Sequence, residues 1–485
     1  INKNQWFISG SSVDEGDVNI PSAESILRQI LYGNEYFKKE FGKTSEDYML
    51  PDCFGFPASL PSIFAHAGLK GFSTQKLAWG SAVGIPFNIG FWEGPDGQGI
   101  VSALNPGSYT SRVKIAPHTD NYWVNRVNQN GEKYGVFADY HYYGVGDRGG
   151  GPNAKDVRKV IRSIKKHNPQ VRIVAKSSDQ LFKDLTDKQV ERLPRYKGDL
   201  LLTEHSAGSL TSRTHMKRWN RQNEILADTA ERAATIADFL GVANYPFEKI
   251  ETSWTRVLAS QMHDILPGTS IPEAYEFSYN DEIIALNGFS QVLTSSVAQI
   301  AQNLDTNVEG VPLIIYNPMA IPRDEVVNAK LVLSNNVTAI EVSDGSTIVP
   351  AQIIKKSASK DLSSSEYEFI FKASVPALGL KTFSVLAKNG VSDSSPLKVT
   401  ASTLENEFFQ VSVDHDGNLA SIYDKVNQRE IFSAPMQYIF LTEKPKEYPS
   451  WNMYWNDRKQ PPYDQVKGPA KIRIKEQGPV RVSIE

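Results

Sequence analysis

Three short segments of the sequence place acidic or imidazole side chains beside residues that form turns. The first segment, residues 50–57, carries Asp52 between a strand-like run and the proline that starts the next helix. Loops at the carboxyl ends of strands are where α/β folds place catalytic groups, because the strands hold those loops in position. Asp52 is therefore a candidate catalytic carboxylate, although an Asp before a helix also acts as an N-cap.

A glycine-rich turn at residues 142–152 carries the second candidate, Asp147. The turn lacks the Lys-Ser or Lys-Thr ending of a phosphate loop and the glycine spacing of a dinucleotide-binding loop. Glycines have no side chains that would crowd a neighbouring carboxylate, so the turn could expose Asp147 at a cleft. A plain glycine-rich loop is the alternative interpretation.

The third segment, residues 261–270, contains a His-Asp pair at the point where proline and glycine end a helix. His263 follows the buried stripe that Trp254 and Leu258 form on this helix, and Asp264 comes next. Neutral imidazole is the commonest protein donor to zinc, so His263 is a candidate metal ligand. A structural histidine beside an apolar face is the alternative.

The elements that must hold these segments change in type along the chain. Up to about residue 210, helices alternate with short apolar strands, which is typical of an α/β layer or barrel. The spacing of apolar residues predicts helices over 22–41, 59–67 and 157–164 and strands over 71–74 and 171–175.

A helical period continues beyond that point and predicts three helices that bury apolar faces against one another. One face carries Trp254 and Leu258, and another carries Ile283 and Ile284. Short alternating runs between turn residues then predict an antiparallel β-sandwich. The sequence thus predicts a multidomain α/β + α + β protein, with an α/β catalytic domain at 1–210, a three-helix bundle at 211–305 and a β-sandwich at 306–485.

Composition excludes several classes of function. The chain has 485 residues with 52 basic and 55 acidic side chains, so its net charge of −3 offers no electrostatic footprint for nucleic acid. Its single cysteine, Cys53, cannot form an internal disulfide. No run of 18 or more apolar residues occurs, so no membrane span is predicted. The compartment is left open, and so is the formation of a homo-oligomer.

The candidate segments lie within longer motifs that match one family in the same order along the chain. Over nearly all of its length, the sequence resembles the α-mannosidases of glycoside hydrolase family 38, from the branch found in bacteria and among cytosolic enzymes. The motifs include Pro51-Asp52-x-Phe54-Gly55, Gln75-Lys76-Leu77-Ala78-Trp79, Trp92-Glu93-Gly94-x-Asp96-Gly97, Gly144-x-Gly146-Asp147-x-Gly149-Gly150-Gly151-Pro152 and His263-Asp264-x-x-Pro267-Gly268-Thr269.

This resemblance implies a retaining exo-α-mannosidase that removes mannose from oligosaccharides, with one zinc ion in a (β/α) barrel-like catalytic domain. Asp52 would be both the nucleophile and a zinc ligand, His263 a second ligand, and Asp147 the general acid/base. A retaining glycosidase needs two carboxyls roughly 5 to 5.5 Å apart, one to attack the anomeric carbon and one to protonate the leaving oxygen. The residues expected to contact the sugar, or else to form structural hydrogen bonds, are Lys76, Asp96 and Asp264.

One motif of the family has no counterpart in the sequence. The family's first metal motif, a His-x-Asp-x-x-Trp-like segment on the first barrel strand, would lie upstream of Ile1. A catalytic zinc takes at least three protein ligands, so two further ligands are expected there. We therefore expect the whole protein to be an enzyme, and these 485 residues alone to be an inactive piece with an incomplete barrel.

Two other functions fit parts of the same pattern. A metal-dependent carbohydrate hydrolase such as a deacetylase would use Asp52 and His263 to hold a zinc-bound water. A non-catalytic carbohydrate-binding protein would stack sugars on aromatic residues that could equally belong to the core, namely Trp451, Tyr454 and Trp455. The stereochemistry of the product separates the two hydrolases, and glycan binding by aromatic variants tests the third function.

Overall fold

The computed structural model describes residues 1–3, 5–147, 149–166, 168–358, 363–390 and 395–485. The chain divides into two compact units. Unit 1 comprises Ile1–Asp228, Pro246–Val292 and Glu443–Arg458, and unit 2 comprises Thr229–Tyr245, Leu293–Thr442 and Lys459–Glu485. Two long helices each contribute residues to both units, and a late segment belongs to unit 1. The division into domains at 1–210, 211–305 and 306–485 stays a prediction.

The described part of the chain forms ten α-helices, and the apolar spacing predicts some of them. Their bounds are α1 (Ala23–Phe41), α2 (Leu60–His66), α3 (Asn121–Tyr134), α4 (Ala154–Lys165), α5 (Gln180–Asp184), α6 (Asp187–Arg192), α7 (Thr214–Phe239), α8 (Phe247–Ser260), α9 (Pro272–Ala301) and α10 (Trp455–Arg458). At the start of α1 the Ser22 side chain accepts the Ser25 N–H, and at its end Gly42 adopts a left-handed conformation with φ of 67°. The predicted helices over 22–41, 59–67 and 157–164 are confirmed as α1, α2 and α4.

Unit 1 contains a five-stranded mixed sheet. Its strands are β1 (Asp47–Met49), β2 (Gly71–Ser73), β3 (Ile89–Glu93), β4 (Gly99–Ala103) and β5 (Arg195–Lys197), in the order β1-β2-β4-β3-β5. β1, β2 and β4 are parallel, whereas β3 is antiparallel to β4. Among the described residues β1 and β5 are the edges of an open sheet. The α/β class is therefore confirmed, and closure into a barrel stays a prediction.

The strand predicted over residues 171–175 is wrong. These residues form no strand in the structure, and Val174 is 50% exposed. β5 pairs with β3 and occupies one edge of the sheet. Alternating apolar residues form a strand only where a neighbouring backbone takes up their hydrogen bonds, and residues 171–175 have no such neighbour in the described part of the chain.

Aromatic side chains form much of the core of unit 1. Tyr48, Phe56, Phe64, Phe72 and Trp92 are almost fully buried, and their contacting rings have centroids 4.6 to 5.6 Å apart. Burial of a large apolar side chain stabilises a fold by about 1.5–3 kcal/mol. The cluster therefore holds β1, β2 and β3 against α2, and it fixes the starting points of the loops that follow these strands.

The predicted helical segment is confirmed as α7, α8 and α9, although its buried face differs from the prediction. Trp254 of α8 packs against Phe289 of α9 with ring centroids 5.7 Å apart. Ile283 and Ile284 are instead 48% and 41% exposed. By length and composition alone α9 could cross a membrane, but core helices of folded proteins pass the same test. The expectation of no membrane span therefore stays a prediction.

One carboxylate is buried between α7 and α9. Asn223 of α7 donates through Nδ2 to Glu282 Oε2 of α9 at 2.5 Å, and Glu282 is 1% exposed. Burial, assisted by the nearby acids Glu224 and Asp281, raises the pKa of Glu282 to about 8. Glu282 is therefore largely protonated in the folded protein at neutral pH.

Unit 2 is built from antiparallel sheets. The strands are β6 (Val311–Tyr316), β7 (Arg323–Ser334), β8 (Ala339–Ser343), β9 (Ile348–Val349), β10 (Ala351–Ala358), β11 (Ser364–Val375), β12 (Leu380–Lys388), β13 (Lys398–Val399), β14 (Thr403–Glu405), β15 (Phe409–Val413), β16 (Leu419–Asp424), β17 (Arg429–Glu430), β18 (Ile439–Phe440), β19 (Asp464–Gln465), β20 (Ile474–Glu476) and β21 (Ser483–Ile484). The sheets β10-β11-β7 and β6-β12-β8-β9 share one apolar core, in which the Phe371 and Phe383 rings lie 5.2 Å apart. This pair of sheets has the predicted sandwich arrangement, and β13 to β17 form a further sheet.

Candidate active site

Several candidate residues lie together at the carboxyl ends of the parallel strands. Asp52 follows β1, Lys76 follows β2 and Tyr109 follows β4, each within a few residues. The Leu50 N–H donates to the Ser73 carbonyl at 3.0 Å, which extends the pairing of β1 and β2 toward Asp52. Because parallel strands end at the same edge, the three loops meet there.

Asp52 is paired with a buried cation. The Lys76 ammonium contacts Asp52 Oδ1, and the Lys76 side chain is 4% exposed. The rings of Phe54 and Trp79 lie 5.2 and 5.4 Å from Lys76 Nζ and contribute to the burial of the ammonium. Burial by itself would raise the pKa of Asp52, but His263 and Lys76 outweigh it and hold that pKa well below its ordinary value. Asp52 is therefore ionised.

One carbonyl orients the imidazole of His263. The backbone N–H of His263 donates to the Glu15 carbonyl at 3.1 Å, and the ring nitrogen Nδ1 lies 2.9 Å from the same carbonyl oxygen. A ring nitrogen that faces a carbonyl carries the proton, so neutral His263 presents a lone pair on Nε2. Nε2 lies 3.8 Å from Asp52 Oδ2 and 3.6 Å from Asp264 Oδ2. Burial lowers the pKa of His263, but the carboxylates of Asp52, Glu15 and Asp264 together raise it to about 9, so a metal ion that binds Nε2 would displace a proton from it.

Among the described residues, two hydrogen bonds hold Asp264 through one of its oxygens, Oδ1. Thr269 Oγ1 donates to Asp264 Oδ1 at 2.5 Å, and the Trp451 indole Nε1–H donates to the same oxygen at 3.3 Å. Oδ2 is consequently the oxygen that faces His263. Trp451 lies in Glu443–Arg458, so this late segment of the chain contributes to the site.

The two predicted catalytic carboxyls are joined by a residue that the sequence analysis missed. The Tyr109 hydroxyl lies 3.0 Å from Asp52 Oδ2 and 2.7 Å from Asp147 Oδ1. These two carboxylate oxygens are therefore no more than about 5.7 Å apart. Burial and the two acids raise the pKa of Tyr109, so its hydroxyl keeps its proton.

The glycine-rich turn allows this contact because two of its glycines lie against Tyr109. The Gly144 N–H donates to the Ser111 carbonyl at 3.0 Å, and the Gly146 N–H donates to the Tyr109 carbonyl at 3.3 Å. A Cβ atom on Gly146 would lie 1.7 Å from the Tyr109 ring. Asp147 itself has a φ of 67°, in the left-handed region that Asp tolerates better than most residues. The turn is thus shaped to place Asp147 beside Tyr109.

The structure does not bring Asp96 to this group. Asp96 lies in the turn between β3 and β4, where Ser62 Oγ donates to it at 2.5 Å and His66 Nε2 lies 3.0 Å away. β3 is antiparallel to β4, so this turn precedes β4 and lies at its amino end. Asp52 lies at the opposite, carboxyl ends of the parallel strands. Asp96 is therefore not a sugar-binding residue of this site. Trp455, another predicted sugar contact, is 70% exposed in α10.

Two residues of the site were missed in the sequence analysis, for different reasons. Tyr109 lies six residues after β4, so the rule that selected Asp52 after β1 could have found it. Glu15 has no such signal, because its hydrogen bonds reach Asp52 and His263, which are 37 and 248 positions away in the sequence.

His263 has possible metal-binding groups on two sides. On its Nδ1 side, donor atoms of Glu15 and Cys53 lie within 4.8 Å of one another and of His263. Nδ1 already faces the Glu15 carbonyl, however, and burial raises the pKa of the Cys53 thiol well above its ordinary value. On the Nε2 side, Asp52 Oδ2 and Asp264 Oδ2 lie 3.8 and 3.6 Å away. Two donors on one tetrahedral zinc ion are about 3.4 Å apart, so the Nε2 side fits a divalent metal better.

Family models match most of the chain. Their descriptions and ranges are Glycosyl hydrolases family 38 N-terminal domain at 1–199, Alpha mannosidase middle domain at 204–300, Lysosomal alpha-mannosidase-like central domain at 345–385 and Glycosyl hydrolases family 38 C-terminal domain at 404–485. The chain belongs to glycoside hydrolase family 38.

Two relatives are longer than this chain. Alpha-mannosidase G of Dictyostelium discoideum is 28% identical over an alignment of 459 positions that covers 88% of this chain and 40% of that protein. Alpha-mannosidase 2C1 of Homo sapiens is 30% identical over an alignment of 332 positions that covers 67% of this chain and 30% of that protein. The chain thus spans less than half the length of these relatives.

A solved structure shares the fold. The crystal structure of an alpha-mannosidase from Enterococcus faecalis V583 superimposes with a TM-score of 0.71 and 18% identity. The match covers 98% of this chain and 58% of that one. The multidomain arrangement of α/β, helical and antiparallel β elements is therefore shared with a family member.

Proposed function

We propose that this protein is a retaining α-mannosidase that removes mannose from oligosaccharides. The observation that carries the proposal is the pair of carboxyls joined through Tyr109. The two oxygens that face Tyr109 are no more than about 5.7 Å apart, an upper limit that admits the roughly 5 to 5.5 Å of retaining glycosidases and lies below the range of inverting ones. Membership of family 38 supports mannosides as the substrates.

In this proposal, Asp52 is the nucleophile. Its pairing with the buried Lys76 ammonium keeps it ionised, as a nucleophile must be. Asp52 forms a bond to the anomeric carbon while the bond to the leaving oxygen breaks, and Asp147 protonates that oxygen. Water then attacks the same carbon with Asp147 as the base, which releases mannose and restores Asp52.

The contacts of Tyr109 place Asp147 where a proton donor is needed. The Tyr109 hydroxyl is the donor toward both carboxyls, 2.7 Å from Asp147 Oδ1 and 3.0 Å from Asp52 Oδ2. Asp52 is held ionised for the role of nucleophile, so the role of general acid falls to Asp147.

The metal assignment is part of the same proposal. It takes Asp52 and His263 as zinc ligands, since Asp52 Oδ2 lies 3.8 Å from His263 Nε2, and Asp264 Oδ2 lies 3.6 Å from the same nitrogen. Such an ion supplies a positive charge that orients and polarises two neighbouring hydroxyls of the sugar. His263 is held ready for this role by the Glu15 carbonyl. Where Asp264 is not a ligand, its Oδ2 accepts a hydrogen bond from a sugar hydroxyl.

The stereochemistry of the first product tests the proposal. Hydrolysis of a 4-nitrophenyl α-mannoside is followed by proton NMR, and α-mannose is expected before mutarotation produces the β anomer. First release of β-mannose would contradict retention. Release of acetate from an acetylated sugar, without cleavage of the mannoside, would support the deacetylase function and contradict a mannosidase.

A further inference from the structure

We propose that Glu15 is a positioning residue that holds Asp52 and His263 in a fixed orientation relative to each other. The proposal rests on the proposed function in one respect, since it takes Asp52 and His263 as the pair that must be aligned. Glu15 reaches both residues, one through its side chain and the other through its backbone. It thereby ties together two parts of the chain that are far apart in the sequence.

The contacts of Glu15 are short and divided between the two partners. Glu15 Oε1 accepts the Asp52 N–H at 2.6 Å, and Oε2 lies 4.0 Å from His263 Nδ1. The Glu15 carbonyl lies 2.9 Å from Nδ1 and so selects the ring form that leaves Nε2 facing Asp52. A shift of Glu15 would therefore move the backbone of Asp52 and change the aim of the imidazole at the same time.

The backbone around Glu15 is fixed against the segment that carries His263. Gly16 and Met262 form an antiparallel bridge, and the Asp17 N–H donates to the Gln261 carbonyl at 2.8 Å. These contacts are made by the two residues that directly follow Glu15. The Glu15 carboxylate therefore projects from a fixed backbone, which is what a positioning group requires.

Glu15 could act through its charge or through its hydrogen bond, and the two roles are separable. A metal ligand needs the carboxylate, and Glu15 does belong to a compact group of donors with Cys53 and His263. An acceptor for the Asp52 N–H needs only an oxygen at the right distance. Glutamine supplies that oxygen without the charge, whereas aspartate keeps the charge but is too short to reach.

The test uses Glu15→Gln, Glu15→Asp and the control Asp14→Asn. Asp14 is the exposed neighbouring acid, and its side chain contacts the Glu15 N–H rather than Asp52 or His263. Zinc affinity of the whole protein is measured by competition with a chelator, and its kcat and KM are measured on an aryl α-mannoside. Circular dichroism melting curves confirm that each variant is folded.

Positioning predicts one order of zinc affinity among the variants. Glu15→Asp is expected to weaken zinc binding by about 10- to 100-fold and to lower kcat more than it changes KM. Glu15→Gln keeps the acceptor oxygen and is expected to weaken zinc binding less than Glu15→Asp does, and Asp14→Asn is expected to stay close to the wild type. The opposite order, with Glu15→Asp retained and Glu15→Gln lost, would show that Glu15 acts as a charged ligand and would overturn the proposal.

The zinc measurement also separates this proposal from the proposed function. It requires no hydrolysis of mannosides. A protein that binds zinc in the predicted order of variants but does not cleave mannosides would contradict the proposed function and leave the role of Glu15 intact. Wild-type zinc affinity and kcat in Glu15→Asp would remove the positioning role even if the protein is a mannosidase.

Discussion

Replacing Tyr109 with phenylalanine removes one oxygen atom and both hydrogen bonds that join Asp52 to Asp147. The ring that packs against Gly146 remains, so the turn is expected to keep its shape. A hydrogen bond to a charged group contributes about 1.5–3 kcal/mol. If that stabilisation acts on the aligned pair of carboxyls in the transition state, its loss lowers kcat/KM by about 10- to 150-fold.

The dependence on the leaving group identifies which carboxyl is affected. A 2,4-dinitrophenyl mannoside needs little protonation, whereas a methyl mannoside or a disaccharide needs a positioned acid. Since Tyr109 contacts both carboxyls, Tyr109→Phe is expected to slow both kinds of substrate, and the poor leaving group more strongly. Steady-state kinetics on the two substrates, with a melting curve for each variant, provide the measurement.

Tyr143→Phe is the matched control, because Tyr143 lies in the same glycine-rich turn and makes no hydrogen bond to Asp52 or Asp147 in the described part of the chain. It is expected to retain the kcat/KM of the wild type. A Tyr109→Phe variant that also retained it on both substrates would refute the argument that the hydroxyl aligns the two carboxyls. The observed separation of the carboxyls would then have no bearing on the mechanism.

Asp147→Asn should leave a 2,4-dinitrophenyl mannoside nearly unaffected in the glycosylation step while a disaccharide loses turnover, and equal losses would exclude Asp147 as the acid. Gly146→Ala should lower activity like Tyr109→Phe, because the added Cβ would lie 1.7 Å from the Tyr109 ring; a variant with wild-type kinetics would contradict that contact. Glu282 has a pKa of about 8 when folded and 4.5 as its ordinary value, so the folded state holds a proton that the unfolded state loses, and stability falls as pH rises between these values. Glu282→Gln removes the free energy needed to bind this proton, on the order of 5 kcal/mol, and should raise the melting temperature more at pH 8 than at pH 5. An equal rise in melting temperature at both pH values would contradict a buried, protonated Glu282.

The sequence predicted the parts of the site that depend on local pattern. Asp52 follows a strand and precedes a helix, and the structure places it at the carboxyl edge of the sheet as the pattern predicts. His263 comes at the end of a helix with an apolar stripe, and the structure brings it 3.8 Å from Asp52. Each motif alone left its function open. The resemblance to family 38 came from the order of the motifs along the chain, and it predicted that they belong to one site.

Contacts between residues that are far apart in the chain could not be predicted from the sequence. Asp96 and Lys76 were both predicted to contact the sugar. The local sequence does not show whether a strand runs parallel or antiparallel to its neighbour, and because β3 is antiparallel, Asp96 lies at the other end of the strands from Lys76. The run at residues 171–175 has strand-like alternation, and only the pairing of β5 with β3 shows which segment joins the sheet there. Glu15 acts through two partners that lie far from it in the sequence, so no spacing rule could select it.

Covalent trapping of Asp52 tests the central claim most directly. A fluorinated mannosyl fluoride slows hydrolysis of the glycosyl-enzyme, so the label accumulates on the nucleophile. Trypsin cleaves after Lys43 and Lys70, and the peptide between them contains Asp52. Mass spectrometry is expected to find one fluoromannosyl group on this peptide, with fragment ions that assign it to Asp52. A label on Asp147 or on any other residue would contradict the account.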